Sequence, residues 1–333
     1  MSDSNDILTA EEAAQQAEQL TAEAFEALEA GQGARVAEIC AELRVMHYSS
    51  CFEIEALLAL DQGLPSRALE VLDEGLNVVP ELWQLWQLRG NILSDGGQWD
   101  EALESYERAL PLDGADVNSL RLNRATALWR SQQIEEALAE IALTDDSAQE
   151  MSVSLYWRLQ AVRLALWAEQ GSCDDVSDRA AQLWDDQQEV EIDEDEAASL
   201  SVAFSQIGWA MFNCEQPQRA CEWAKAALEV DRSNGQALLL TRESTPNLPL
   251  GDQTFRVVLR GETEDEDGPI GFHTMLLAIA PDEAVAQQLA IEFEAPRWES
   301  KVEVEESGRI GSCDSQPSCI YEVQGYVQCP LDD

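Results

Sequence analysis

The sequence predicts an α-helical solenoid of about six stacked helix pairs followed by a small α+β domain. Three observations carry this. Small and apolar residues recur at helical spacing in units of about 34 residues. The helical pattern stops after Leu240 in TRESTPNLPLG, where Pro246, Pro249 and Gly251 have the composition of a connecting segment. Beyond that segment, apolar residues alternate at every second position, the period of a half-buried strand. The expected bounds are 10–242 for the helical array, 243–251 for a linker and 252–333 for the second domain, and the 333 residues suit two domains.

The clearest unit is residues 83–114, WQLWQLRGNILSDGGQWDEALESYERALPLDG. Gly90 and Ala102 are the expected points of close approach between its two helices. Trp86, Leu93, Leu103, Tyr106 and Leu110 recur at three- and four-residue steps and fill the space around them. Asp95-Gly96-Gly97 reads as the turn, and Gly114 as a helix terminus that accepts a left-handed cap. Ala68, Leu72, Gly75 and Pro80 stand 34 positions before Ala102, Tyr106, Ala109 and Gly114. Downstream, IEEAL repeats WDEAL at a spacing of 35, with Ala125 opposite Gly90 and Leu128 opposite Leu93. Phe204, Ile207, Gly208, Met211, Ala220 and Ala227 restore the pattern. A degenerate pair lies between, marked by Tyr156-Trp157, Ala161 and Leu164 and by DDVSDRAAQLW, and an N-terminal pair shows in GQGARVAEI.

These marks resemble the tetratricopeptide repeat over residues of about 10–240. The resemblance implies helix–turn–helix units, each burying its apolar face on its neighbours, and a surface that binds protein rather than a reaction. In that family the first helix of each pair lines the concave face. With Trp83 as the first position, the lining residues are Gln84, Gln87, Asn91 and Ser94; one repeat on they are Ser119, Leu122, Thr126 and Trp129, with Arg130 beside them. In the last clear repeat they are Val202, Ser205, Trp209 and Phe212. The family's best-known peptide sites clamp a terminal carboxylate with Lys, Asn and Arg at such positions. Here Gln87 stands at the fifth position and no lysine stands at any of these positions, so that ligand is not implied. An amide and aromatic lining suits a neutral or basic peptide with Trp129, Trp209 and Phe212 as anchors. The alternative, that these rings pack against the adjacent pair, stands beside it.

Asp and Glu number 65 against 20 Lys and Arg, a formal net charge of −45, and the only lysines are Lys225 and Lys301. A phosphate lattice or an anionic membrane would be repelled, which excludes nucleic-acid and membrane-surface partners. The charge fits a solvated surface, a basic partner drawn in by steering, or mimicry of nucleic acid by an inhibitor. The start, MSDSNDILTAEEAAQQ, is polar and acidic, and no apolar run approaches a membrane span, so a cytoplasmic protein is expected.

Cys40, Cys51, Cys173, Cys214 and Cys221 fall in or beside helical patterns and are expected as small buried hydrophobes with reduced thiols. Cys313, Cys319 and Cys329 surround the last strand. With only His47 and His273 in the chain their spacing matches no zinc site, and a redox-sensitive Cys313–Cys319 pair competes with incidental cysteines. The runs Asp193-Glu194-Asp195-Glu196 and Glu264-Asp265-Glu266-Asp267 lack the pattern of a calcium loop and read as exposed turns. No metal, cofactor or catalytic constellation is expected.

In the second domain Phe255, Val257 and Leu259 alternate with Arg256, Val258 and Arg260 as a first strand, and residues 272–279 form a second. Pro281-Asp282-Glu283 opens a helix whose buried face carries Val285 and Leu289. Residues 299–305, with Val302 and Val304 inward, and residues 320–327 complete a β-β-α-β-β order. The functional expectation is a non-enzymatic adaptor or scaffold that holds a neutral or basic protein or peptide on the concave face. The alternative from another class is an immunity or inhibitor protein that neutralises a basic toxin or nuclease.

Overall fold

The computed structural model describes residues 10–144, 151–188, 190, 194–265, 268–297 and 302–329. Contacts divide the chain into two compact units, Met1–Asp145 and Asp146–Asp333.

Eight helices build the described part of the first unit: α1 (Ala10–Glu29), α2 (Gly33–Val45), α3 (Ser50–Asp61), α4 (Pro65–Val78), α5 (Trp83–Asp95), α6 (Trp99–Ala109), α7 (Val117–Arg130) and α8 (Ile134–Ile141). Consecutive helices pair, α1 with α2 through α7 with α8. The first members also touch in series, α1 with α3, α3 with α5 and α5 with α7, and so make one layer. The pairing follows the small residues. Ala68, Ala102, Ala109, Ala125 and Ala137 are wholly buried, and a Cβ added at Gly90 would lie 2.5 Å from the Tyr106 ring. That ring takes the space Gly90 leaves, so the approach expected between Gly90 and Ala102 is made by Gly90 against Tyr106.

The turns are built alike. Gly97 has φ of 74° and its N–H reaches the Ser94 carbonyl, while the Gln98 N–H returns 2.8 Å to Leu93 O. This left-handed closure satisfies two carbonyls at the helix end. Gln132 holds the same place after α7 with φ of 67°, and the Gln133 N–H reaches Leu128 O. Pro65 opens α4, where its missing N–H costs nothing, and Asp116 caps α7 by accepting the Ser119 N–H at 3.0 Å.

The second unit contains α9 (Val153–Glu169), α10 (Cys173–Gln187), α11 (Glu194–Asn213), α12 (Pro217–Val230), α13 (Gly235–Ser244) and α14 (Glu283–Glu294), so the described residues hold 14 α-helices in all. Its strands are β1 (Leu250–Asp265), β2 (Gly268–Ala280), β3 (Glu303–Pro317) and β4 (Cys319–Cys329), in one antiparallel sheet of order β3-β1-β2-β4. Trp157, Phe204, Trp184 and Trp223 meet edge to face beneath α9, α10, α11 and α12, with Phe204 4.9 Å from Trp157 and Trp184 5.1 Å from Trp223. The apolar core runs on without a break from these rings through Leu238 and Leu240 to Phe255, Val257, Leu276 and Val323. α14 lies on the sheet.

Within 243–251, α13 ends at Ser244, β1 begins at Leu250 and residues 245–249 connect them. Several other expectations are corrected. β1 runs through the acidic stretch as far as Asp265; Glu266, Asp267 and Asp193 lie outside the described residues. α14 is capped by Asp282, which accepts the Val285 N–H at 3.0 Å, so Pro281 precedes the cap instead of filling the first turn. The third strand, expected at 299–305, runs from Glu303 to Pro317 and takes Cys313 into the sheet. Cys173 and Cys214 are joined in a disulfide, with Cα atoms 5.3 Å apart, not left as free hydrophobes. The turn after α9 and the end of α11 face one another, which the helical pattern alone did not show. Cys40, Cys51, Cys221, Cys313 and Cys319 are free, and the Cys329 side chain lies outside the described residues.

Candidate partner-binding surface

The first-helix layer of the first unit is where the expected lining residues fall. On α5, Gln84 and Gln87 are half-buried, and the Gln84 Oε1 has no hydrogen-bond partner among the described residues. Ser94 is buried within the pair. Asn91 is a bridge: its Oδ1 accepts the Tyr106 hydroxyl at 2.9 Å and the Asn123 Nδ2 at 3.1 Å, tying α5 to α6 and α7. Burial holds the Tyr106 hydroxyl well above its ordinary pKa, so it stays a neutral donor. Asn123, unlike Asn91, was not marked by its repeat position, and only the packed helices show that the two amides meet.

On α7, Leu122 is buried and Ser119 is held by the Asp116 carboxylate at 2.5 Å. Thr126 donates to Leu122 O at 2.8 Å, and Trp129 is half-buried. Arg130 leaves this face towards Asp95 of the preceding pair, 3.2 Å away.

Pairing of this kind takes up every arginine of residues 10–144. Arg35, Arg44, Arg67, Arg89, Arg108, Arg121, Arg124 and Arg130 all reach carboxylates. Glu140 alone, buried on α8, meets Arg124 at 2.8 Å and Arg121 at 3.6 Å. The charge left over in this unit is acidic.

The second unit presents a different set on α11. Val202 is exposed, and Ser205 is buried and bonds its own helix at Val202 O, 2.9 Å away. Trp209 and Phe212 stand edge to face at 5.5 Å, half-buried against the core. The Trp209 Nε1 has no partner among the described residues.

The family model described as Tetratricopeptide repeat matches residues 55–117 and, one unit on, residues 88–150. Residues 55–150 of the chain thus consist of tetratricopeptide repeats. Its fold is similar to that of the APC/C hetero-tetramer Cut9–Hcn1, with 11% sequence identity, 68% of this chain and 42% of that chain covered, and a TM-score of 0.53. This chain therefore spans about two fifths of that chain's length. Fainter likenesses are to a tetratricopeptide repeat protein from Parabacteroides merdae (14% identity, 69% and 99% covered, TM-score 0.43) and to YrrB, a TPR protein with an unusual peptide-binding site (18% identity, 57% and 89% covered, TM-score 0.34). No curated protein matches the sequence.

No group of three His, Cys, Asp or Glu among the described residues is placed to hold a metal ion. Among the same residues no helix is long and apolar enough to cross a membrane.

Proposed function

We propose that the chain is a non-enzymatic protein-binding adaptor whose first-helix layer holds a neutral or basic protein or peptide. The observation that carries this is electrostatic. With every arginine of residues 10–144 engaged by a carboxylate, the unit's remaining charge is negative, and on α5 the Gln84 Oε1 has no hydrogen-bond partner among the described residues. Gln84, Gln87 and Thr126 offer donors and acceptors to an extended backbone, and Trp129 offers an apolar face. Asn91 contributes by fixing the spacing of α5 and α7. Arg130 is paired to Asp95, and Ser94 lies beneath the surface. On α11 we assign Trp209 and Phe212 as a separate aromatic contact, with Ser205 setting the helix beneath them. The module bounds 10–242, 243–251 and 252–333 belong to the same proposal, as does a cytoplasmic location.

The experiment is capture from native lysate with the full chain, then kinetics with the partner identified. Steering by excess negative charge raises association rates by about 10-fold to 10³-fold at low salt and fades as the Debye length falls from about 10 Å at 0.1 M to about 3 Å at 1 M. We expect the on-rate to drop over that range, while Trp129→Ala chiefly speeds dissociation. An acidic partner, or an on-rate indifferent to salt, refutes the charge complementarity.

A further inference from the structure

The second unit contains a cavity of about 200 Å³ between α13, α14 and the first residues of β4. Its apolar walls are Leu238 and Ile320, both buried, and Leu248, Leu289 and Phe293, all half-buried. An apolar cavity of about 150 Å³ accommodates benzene, so this one suits a substituted ring of about seven or eight heavy atoms.

The polar groups on the wall differ in what they still need. The Thr241 hydroxyl donates to Ala237 O at 2.9 Å, and that of Thr245 to Thr241 O at 2.7 Å. Ser318 is wholly buried, and its backbone N–H donates to Pro249 O at 2.8 Å. Its Oγ, however, has no hydrogen-bond partner among the described residues. A buried hydroxyl with an unmet bond is costly, and here the hydroxyl belongs to a residue lining a cavity large enough to supply the partner.

Charge narrows the ligand class. Arg242, on the same wall, gives its Nε and Nη2 to Glu243 at 3.1 and 2.7 Å and its Nη1 to Gln316 at 3.2 Å, so its charge is matched. Glu292 adds a further carboxylate at the exposed side. Burial pushes the Cys319 thiol above its ordinary value, so that wall is neutral at pH 7. An anion finds no uncompensated cation and meets a chain of net charge −45. A cation would have to leave water for apolar walls.

We propose that this cavity binds a small uncharged molecule with a ring-sized apolar body and one hydroxyl or carbonyl group, the polar group bonding to Ser318. The site is separate from the helix faces assigned to a protein partner and stands or falls independently of them.

Titration of the full chain with p-cresol, toluene and p-toluate, followed by the methyl NMR signals of Leu238, Leu289 and Ile320, tests the proposal. p-Cresol is expected to shift those signals saturably and p-toluate to bind at least about tenfold more weakly, the cost of burying an unpaired charge. Ser318→Ala is expected to weaken p-cresol by about fivefold to tenfold and to leave toluene unchanged, because only p-cresol loses a hydrogen bond. Leu289→Trp is expected to fill the cavity and abolish both, with circular dichroism confirming the fold. Absence of saturable shifts with p-cresol, or p-toluate binding as tightly, overturns the site or its ligand class. An unchanged p-cresol affinity in Ser318→Ala overturns the role of the hydroxyl, and that variant decides the matter even where Leu289→Trp does not fold.

Discussion

Arg44, at the end of α2, holds both oxygens of Glu55 at 2.6 Å, reaches Glu74 of α4 at 2.6 Å, and lies 4.7 Å from the centre of the Phe52 ring. One planar cation thus ties three helices, a geometry that lysine would not reproduce. Its hydrogen bond holds the Glu74 carboxyl below the usual range. Two residues before Glu55, Glu53 is half-buried, has no basic partner among the described residues, and has its carboxyl pushed up by burial. The two acids therefore contribute to stability with opposite sign. For Glu74 the folded state favours the anion, so its contribution is present at neutral pH and is lost as pH falls through the carboxylate range. For Glu53 the folded state favours the protonated form, so stability is lost as pH rises through that range. Thermal melts at pH 7 should show Glu74→Gln lowered and Glu53→Gln raised relative to the parent. Both differences should shrink in acid, where every form is neutral. A Glu53→Gln gain that persists below the carboxylate range would mean that packing, not ionisation, is responsible.

At the scale of elements, two closures stand out. The helix–turn–helix units repeat one backbone solution at the turn, but Gln132 and Glu215 occupy the left-handed position that Gly31, Gly63, Gly97 and Gly171 fill elsewhere. A side chain there costs roughly 1–2 kcal/mol, partly offset by the greater entropy of unfolded glycine. Gln132 is exposed, and among the described residues its side chain makes no hydrogen bond that the change would sacrifice. Gln132→Gly should therefore stabilise the first unit by about 0.5–1 kcal/mol in denaturant titration, and a loss of stability would refute the assigned turn. The second closure is covalent. The disulfide between Cys173 and Cys214 spans 41 positions, and loop-closure entropy gives roughly 4 kcal/mol for a loop of that length before any offset in the native state. Cys173→Ser should lower the melting temperature of the second unit, and a thiol reductant should do the same to the parent while leaving the variant unaffected. Equal responses of the two proteins to reductant would show that the bond does not form in solution.

Over the whole molecule, the division of contacts matters more than the division of composition. The helices α9 to α13 and the sheet share one apolar core, so Phe255, Leu276 and Val323 are covered partly by residues that precede the proposed module boundary. Cleavage engineered between 243 and 251 should thus leave both fragments in one particle on size-exclusion chromatography at native pH. Fragment 252–333 expressed alone should expose apolar surface and bind a hydrophobic dye. Two separate, well-folded fragments would show instead that the compositional boundary at 243–251 is also the structural one.

Much of this fold was legible in the chain. The 34-residue recurrence of small residues placed the helix pairs, because close approach tolerates only glycine or alanine at such points, and Gly90, Ala102 and Gly208 all prove to be buried. Alternation at Phe255, Val257 and Leu259 likewise marked the covered face of β1. Periodicity reports that a face is buried; it does not report what covers it. The Asn91–Asn123 bridge, the Cys173–Cys214 bond, the extension of β3 to Pro317 and the unpartnered hydroxyl of Ser318 each depend on residues far apart in sequence. Their positions were decided only when the helices and strands packed. The candidate binding surface divides in the same way: its residues followed from repeat position, while packing decided that Ser94, Leu122 and Ser205 lie beneath it and that Arg130 is drawn aside to Asp95.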